Sequence, residues 1–131
     1  MYLNGLLILL LLIVHYIADF FVQTQYQAEN KSKSTTQLSI HVFTYTLFFV
    51  PCIIYTLFKN HLNNDPMEPI IFFVGLSSIY ITHWITDYFT SKVSAQYFKE
   101  NNIRAGFQVV GFDQLIHYLS LGFIFNYLMS F

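Results

Sequence analysis

The chain has 131 residues, of which 55% are hydrophobic, 20% are aromatic and only 10% carry a charge, and its mean hydropathy is +0.49. This composition excludes intrinsic disorder. It favours an integral membrane protein over a water-soluble globule, because a small core cannot hide so many aromatic side chains. The net charge of −1 provides no basic field for nucleic acid, and a single cysteine cannot form an intrachain disulfide.

Four apolar stretches of about 20 residues, the length that crosses a hydrocarbon core of about 30 Å, follow one another along the chain. We therefore predict an all-α, polytopic membrane protein that forms one domain over residues 1–131. Its four transmembrane helices are expected over about residues 2–22, 38–58, 70–89 and 107–129. Polar connectors separate them at residues 23–37, 59–69 and 90–106. Pro51 is expected to kink the second span.

The basic residues predict the orientation of the spans. Five of the six lie in the first and third connectors: Lys31, Lys33, Lys92, Lys99 and Arg104. By the positive-inside rule these connectors are cytoplasmic, and both termini lie outside.

A short internal repeat relates the two halves of the chain. The first span ends in HYIADFF (residues 15–21), and the third ends in HWITDYF (residues 83–89). The second and fourth spans begin with a looser match that aligns His41 with His117. This pattern predicts two helical hairpins of the same orientation, related by a pseudo-two-fold axis along the membrane normal.

Ionisable residues inside membrane spans are costly, and by default they mark functional sites. Three His/Asp pairs here have a spacing of four residues, which places both members on one helical face. With His41 they form a set that is predicted within roughly 4–15 Å of the cytoplasmic interface, because the first and third spans end there and the others begin there. The set consists of His15, Asp19, His41, His83, Asp87, Asp113 and His117.

A divalent metal would compensate these groups, which are prohibitively costly in a low dielectric when left unpaired. Imidazole and carboxylate suit Zn²⁺, Mn²⁺ or Fe²⁺, and seven ligands are enough for one ion with a second shell or for two ions. A carboxylate that does not bind metal can act as a general base, so the candidate catalytic residues are Asp19, Asp87 and Asp113. The candidate substrate-binding residues are Gln23, Lys31, Lys92 and Gln114, with Lys33 at the same interface.

The leading hypothesis is a metal-dependent hydrolase of an ester or phosphoester, such as a lipid head group, at the cytoplasmic leaflet of the bilayer. Three alternatives stay open. The first is a metal-ion or proton transport component, which would require polar access from both sides of the bundle. The second is a membrane adaptor that catalyses no reaction. In the third, the polar set serves only to pack the helices together. The lysines could serve only to set the orientation of the spans. A homo-oligomer is also left open, because four short spans enclose little space for a large substrate site.

The motifs also resemble a family of small bacterial and phage membrane proteins of unknown function. The matching marks occur in order over nearly the whole chain: HxxxDFxxQ (His15, Asp19, Phe20, Gln23), Lys31, His41, HxxxDY (His83, Asp87, Tyr88) and DQxxH (Asp113, Gln114, His117). The family also has a lysine soon after its second HxxxD motif, where this chain has Thr90 and then Lys92. The resemblance implies a bacterial inner-membrane location. A more distant similarity to YdjM-like inner-membrane metal-dependent hydrolases implies a hydrolase.

Overall fold

Helices make up the fold in the computed structural model, which describes residues 5–60 and 68–130, and these ranges contain no strand. The elements are α1 (Gly5–Tyr16), a π-helical turn (Ile17–Phe21), α2 (Gln25–Asn30), α3 (Thr35–Phe48), α4 (Val50–Asn60), α5 (Glu68–Lys99) and α6 (Ile103–Leu128). The start of the first predicted span and most of the second predicted connector lie outside the described residues.

The π-helical turn continues α1 and carries Asp19. The backbone N–H of Val22 donates to the carbonyl of Ile17, five residues back, at 3.0 Å. The wider turn buries the neighbouring residues Ala18 and Asp19 together. Such turns inside helices are rare and occur often at functional sites.

The first predicted connector is largely helical. Thr24 begins α2 with a capping box, in which its side chain accepts from the Gln27 backbone and the Gln27 side chain accepts from the Thr24 backbone. Ser34 caps α3, because its side chain accepts from the backbone of Gln37. Lys31 therefore lies between α2 and the start of α3.

The second predicted span is interrupted at Phe49, between α3 and α4. Pro51 has no N–H to donate to Leu47, and its ring crowds the preceding turn, which accounts for an interruption at the place where a kink is expected. The two helices together still form one nearly continuous apolar helical segment over Thr35–Lys59.

Helix α5 has 32 residues and a length of about 48 Å, and it continues ten residues past the predicted end of the third span. The predicted connector over residues 90–106 is therefore too long, because only Glu100–Asn102 separate α5 from α6. Asn101 adopts a left-handed conformation (φ 57°), which asparagine tolerates better than most residues. The Asn102 side chain then caps α6 by accepting from the backbone of Ala105 at 3.2 Å.

Helix α5 is central and packs on α3, α4 and α6. An apolar core that includes Phe49, Ile53 and Phe125 fills the half of the bundle away from the ionisable residues. Among the described residues, the buried polar side chains of this half are Thr46 and Thr56, and both donate to carbonyls of their own helix. In this half the described chain therefore offers no buried carboxylate, imidazole or amine.

Two described helices are long and apolar enough to cross a membrane, Thr35–Lys59 and Pro69–Lys99. The first described helix is shorter, Gly5–Phe21, and α6 carries several polar residues in its first half. The second and third predicted spans therefore have the length and composition of membrane helices, and the prediction of four spans is not confirmed. Large apolar side chains also face outward, and Leu6, Phe73 and Phe123 are 73%, 65% and 75% exposed.

A candidate metal centre at one end of the bundle

Four ligand atoms converge from three separate elements of the bundle. The π-helical turn supplies Asp19, α3 supplies His41, and α5 supplies both His83 and Asp87. One ligand atom of each lies within 4.8 Å of the others. All four residues are at most 4% exposed, so bulk water does not compensate them.

The distances within this four-residue group fit the ligands of one divalent ion. The two imidazole Nε2 atoms are 3.3 Å apart. Asp19 Oδ1 lies 3.1 Å from the nitrogen of His41 and 3.6 Å from that of His83, and Asp87 Oδ2 lies 3.5 Å from both. Tetrahedral coordination with bonds of about 2.0–2.2 Å places ligand atoms about 3.3–3.6 Å apart. The predicted ability to hold a metal is therefore supported by geometry.

A second group adjoins the first and shares Asp19 with it. It contains Asp19, Asp113 and His117, again with ligand atoms within 4.8 Å of one another. His117 Nε2 lies 3.0 Å from Asp87 Oδ1 and 3.4 Å from Asp113 Oδ1. The rings of His83 and His117 stack at 4.1 Å between their centres. Of the three predicted catalytic carboxylates, Asp113 is the one outside the first group.

The two hairpins make equivalent contacts, as the internal repeat leads one to expect. In the first half Asp19 meets His41 at 3.1 Å, and in the second half Asp87 meets His117 at 3.0 Å. These residues correspond in the repeat. The structure thus explains the repeat as the same carboxylate–imidazole contact formed twice.

His15 belongs to neither group, in contrast to its prediction as a ligand. Its Nδ1 lies 2.7 Å from the hydroxyl of Tyr45, and its Nε2 lies 2.8 Å from Oε1 of Gln114. A neutral ring with its proton on Nε2 satisfies both partners, since the amide oxygen can only accept. The Gln114 amide nitrogen then donates to Asp19 and Asp113, at 3.0 and 3.1 Å. His15 therefore orients carboxylates through Gln114.

Lys31, predicted to contact substrate, also reaches into the cluster. Its Nζ donates to Oδ2 of Asp87 at 2.8 Å, and its side chain is only 17% exposed. Burial by itself lowers the pKa of Lys31, but the charges of Asp87 and Asp19 outweigh it, so the pKa lies above its ordinary value of 10.5. Lys31 is thus a fixed positive charge that compensates a buried carboxylate.

A cavity of about 1020 Å³ leads to the cluster between α2, α5 and the first half of α6, and Asp19, Asp87 and Asp113 line its inner end. Gln23 borders it with a buried amide nitrogen that has no partner among the described residues. Lys92 also borders it, with Nζ 3.5 Å from the centre of the Tyr88 ring. The structure thus places the predicted substrate-binding residues at this cavity, although Lys31 and Gln114 also bind the carboxylates.

Two residues of the site were not predicted as members. Tyr45 lies under the His83 ring, with ring centres 3.8 Å apart, and donates to His15. The hydroxyl of Thr90 donates to Asp113. Tyr45 follows His41 by four residues, and Thr90 follows Asp87 by three. Helical spacing therefore places each of them on the same face as a predicted ligand, and this could have identified both.

The fold and the site define a helical bundle with a buried His/Asp cluster that can hold a metal ion. The family model described as "Protein of unknown function (DUF3307)" matches residues 6–131, and the chain belongs to this family. No curated protein and no solved structure matches the chain. The expected membership of an uncharacterised family is thus confirmed, and the similarity to YdjM-like hydrolases stays a prediction.

Replacing Lys31 by methionine is expected to lower the free energy of unfolding by about 3–5 kcal/mol, the usual cost of removing one member of a buried ion pair, because Asp87 loses its positive partner. Because the pKa of Lys31 is raised in the folded protein, the stabilisation is complete below the ordinary lysine pKa and is lost as the pH rises through the folded value. The difference from wild type should therefore stay constant between about pH 6 and pH 9.

Thermal unfolding in detergent measures this effect through the reaction of a thiol-specific dye with Cys52, which is buried and is the only cysteine. The matched control is Lys33→Met, two residues away, which should leave the unfolding temperature unchanged. Equal effects of the two substitutions would contradict the assigned ion pair.

Proposed function

We propose that this protein is a divalent-metal-dependent hydrolase that acts on an ester or phosphoester at the cytoplasmic leaflet of a bacterial inner membrane. The observation that carries the proposal is the convergence of Asp19, His41, His83 and Asp87 at the inner end of a large cavity. Buried ligands on packed helices fix the position of an ion, and the cavity gives a substrate access to it.

The charge of the cluster supports a divalent ion. Three buried carboxylates contribute −3 and Lys31 contributes +1, which leaves −2 when the imidazoles are neutral. One divalent cation balances this charge. Without it, protons on the imidazoles have to compensate the carboxylates, because an uncompensated charge in a buried site is strongly unfavourable.

The membrane location rests on the apolar helices and on the outward-facing apolar side chains. Exposed apolar surface of this extent is typical of contact with lipid or with another protein. We propose that all four predicted segments cross the bilayer, with the more polar α6 shielded by its packing on α5. Lys31, Lys33, Lys92 and Lys99 border the cavity, and by the positive-inside rule this supports our proposal that the site faces the cytoplasmic leaflet and that both termini lie outside.

The chemistry follows from the position of each group. A bound divalent ion polarises the oxygen of a phosphoryl or carbonyl group and lowers the pKa of a bound water. Asp113 borders the cavity beside the four ligands, where it can take the proton of the attacking water and return it to the departing alcohol. Gln114 and Thr90 fix its carboxylate for this role.

A transport component fits the structure less well. Such a protein needs polar groups along the whole bundle, whereas the half away from the cluster is packed with apolar side chains in the described chain. An adaptor without chemistry explains neither the four-ligand geometry nor the cavity beside it.

Hydrolysis by the purified protein tests the proposal. We expect turnover of at least one member of a panel of phosphomonoesters, phosphodiesters and carboxylic esters in detergent with Mn²⁺, Zn²⁺ or Fe²⁺. Chelator should abolish it, and so should His83→Gln. The control Gln108→Ala, at an exposed position of α6 outside the lining of the cavity, should keep full activity. No turnover of water-soluble or vesicle-bound substrates with any of these metals would contradict a hydrolase.

A further inference from the structure

We propose that the centre holds two divalent ions, with the carboxylates of Asp19 and Asp87 placed between them. This inference rests on the proposed function and deepens it, because the number of ions decides which class of substrate the site attracts. It is carried by the separate surroundings of the two oxygens on each of these carboxylates.

The two oxygens of Asp87 face different imidazoles. Oδ2 lies 3.5 Å from Nε2 of His41 and 3.5 Å from Nε2 of His83. Oδ1 lies 3.0 Å from Nε2 of His117, which is not part of the first group. A carboxylate that binds a single ion needs to direct only one oxygen at the ligands of that ion. Asp87 instead directs one oxygen at the first group and the other at His117 of the second group.

Asp19 has the same dual position. Its Oδ1 lies with the two imidazoles of the first group, at 3.1 and 3.6 Å. The residue is also a member of the second group, and its Oδ2 accepts from the Gln114 amide that donates to Asp113 as well. Two carboxylates thus link two adjacent sets of ligands, an arrangement that di-metal carboxylate bundles use.

The second set has its own supports. Asp113 accepts from the Thr90 hydroxyl through Oδ1 and from Gln114 through Oδ2, so its carboxylate is held in one orientation. His117 directs Nε2 at Asp113 and Asp87, and its ring is fixed by stacking on His83. With a second ion, Asp113 is a ligand and not the general base.

The charge then selects the substrate. The ligands and Lys31 carry −2 with neutral imidazoles, so one ion makes the centre neutral and two ions make it +2. A positive centre at the end of an open cavity attracts anions and stabilises the charge that develops on phosphoryl oxygens. Paired ions about 3.5–4 Å apart are suited to this task. The second ion therefore assigns a phosphoester, and not a neutral carboxylic ester, as the substrate class.

Titration of metal-free wild-type protein in detergent with Mn²⁺ tests the number of ions. We expect two Mn²⁺ per chain by elemental analysis, with an electron paramagnetic resonance spectrum that changes from that of an isolated ion to that of an exchange-coupled pair. Asp113→Asn and His117→Gln should each bind one Mn²⁺ with the isolated-ion spectrum. Gln108→Ala should behave as wild type. Inorganic phosphate should perturb the coupled spectrum.

Each outcome has a separate meaning. One Mn²⁺ per wild-type chain, with an isolated-ion spectrum at saturation, overturns the second ion and leaves the hydrolase proposal intact. Two coupled ions without any hydrolysis confirm the paired site and contradict the proposed function. No binding at all overturns both. If the variants fail to fold, the stoichiometry and spectrum of the wild type still decide.

Discussion

Asp87→Asn is expected to abolish hydrolysis and to weaken metal binding by more than about 100-fold. Asp87 lies within ion-pair distance of His41, His83, His117 and Lys31, so its substitution removes four such contacts at once. The amide has the same shape but no charge, and it leaves Lys31 without its partner. Removing one member of a buried ion pair typically costs about 3–5 kcal/mol, so the unfolding temperature should also fall clearly.

Isothermal titration with Mn²⁺ or Zn²⁺ and thermal unfolding in detergent measure the two effects of Asp87→Asn. The control is Glu29→Gln, a carboxylate-to-amide change at an exposed position where the side chain accepts a hydrogen bond from Gln25. The control should match wild type in both measurements. Retention of wild-type metal affinity by Asp87→Asn would show that the carboxylate is not a ligand.

His41→Ala and His15→Ala are expected to differ sharply although both residues are buried histidines of the same cluster. His41 directs Nε2 at the other three ligands, so its loss should remove bound metal and activity together. His15 touches only Tyr45 and Gln114 by hydrogen bonds, so its loss should weaken metal affinity about 10–100-fold and leave the stoichiometry unchanged at saturating metal.

Elemental analysis and a metal titration of the two histidine variants separate these outcomes. Added imidazole can enter the space left by His41→Ala and should restore part of the metal binding, whereas a purely structural role would give no such rescue. Equal loss of metal in both variants would contradict the distinction between a ligand and a positioning residue.

The spacing of ionisable residues predicted most of the candidate site. His/Asp pairs four residues apart, located at the same depth in four segments, are brought together because helix geometry and depth determine both direction and level. Six of the seven predicted residues lie in the two ligand groups. His15 differs because the π-helical turn after it shifts Asp19 into the centre, and no glycine or proline in residues 15–21 signals that turn.

The ends of helices were less predictable than the site. Loss of hydropathy after Phe89 was interpreted as the start of a connector, yet α5 continues to Lys99. Hydropathy indicates where lipid ends, but a helix also satisfies its backbone hydrogen bonds in water and need not end there. The contact between Lys31 and Asp87 was also not predicted, because the position of the Lys31 side chain depends on how α2 folds.

The metal content of the tag-free protein, purified in mild detergent without chelator, tests the central claim most directly. The cluster of Asp19, His41, His83 and Asp87 predicts at least one divalent ion per chain, and Asp87→Asn purified in parallel should contain none. A well-folded wild-type protein without metal, which also fails to bind Mn²⁺, Zn²⁺ or Fe²⁺ when they are added, would contradict the account.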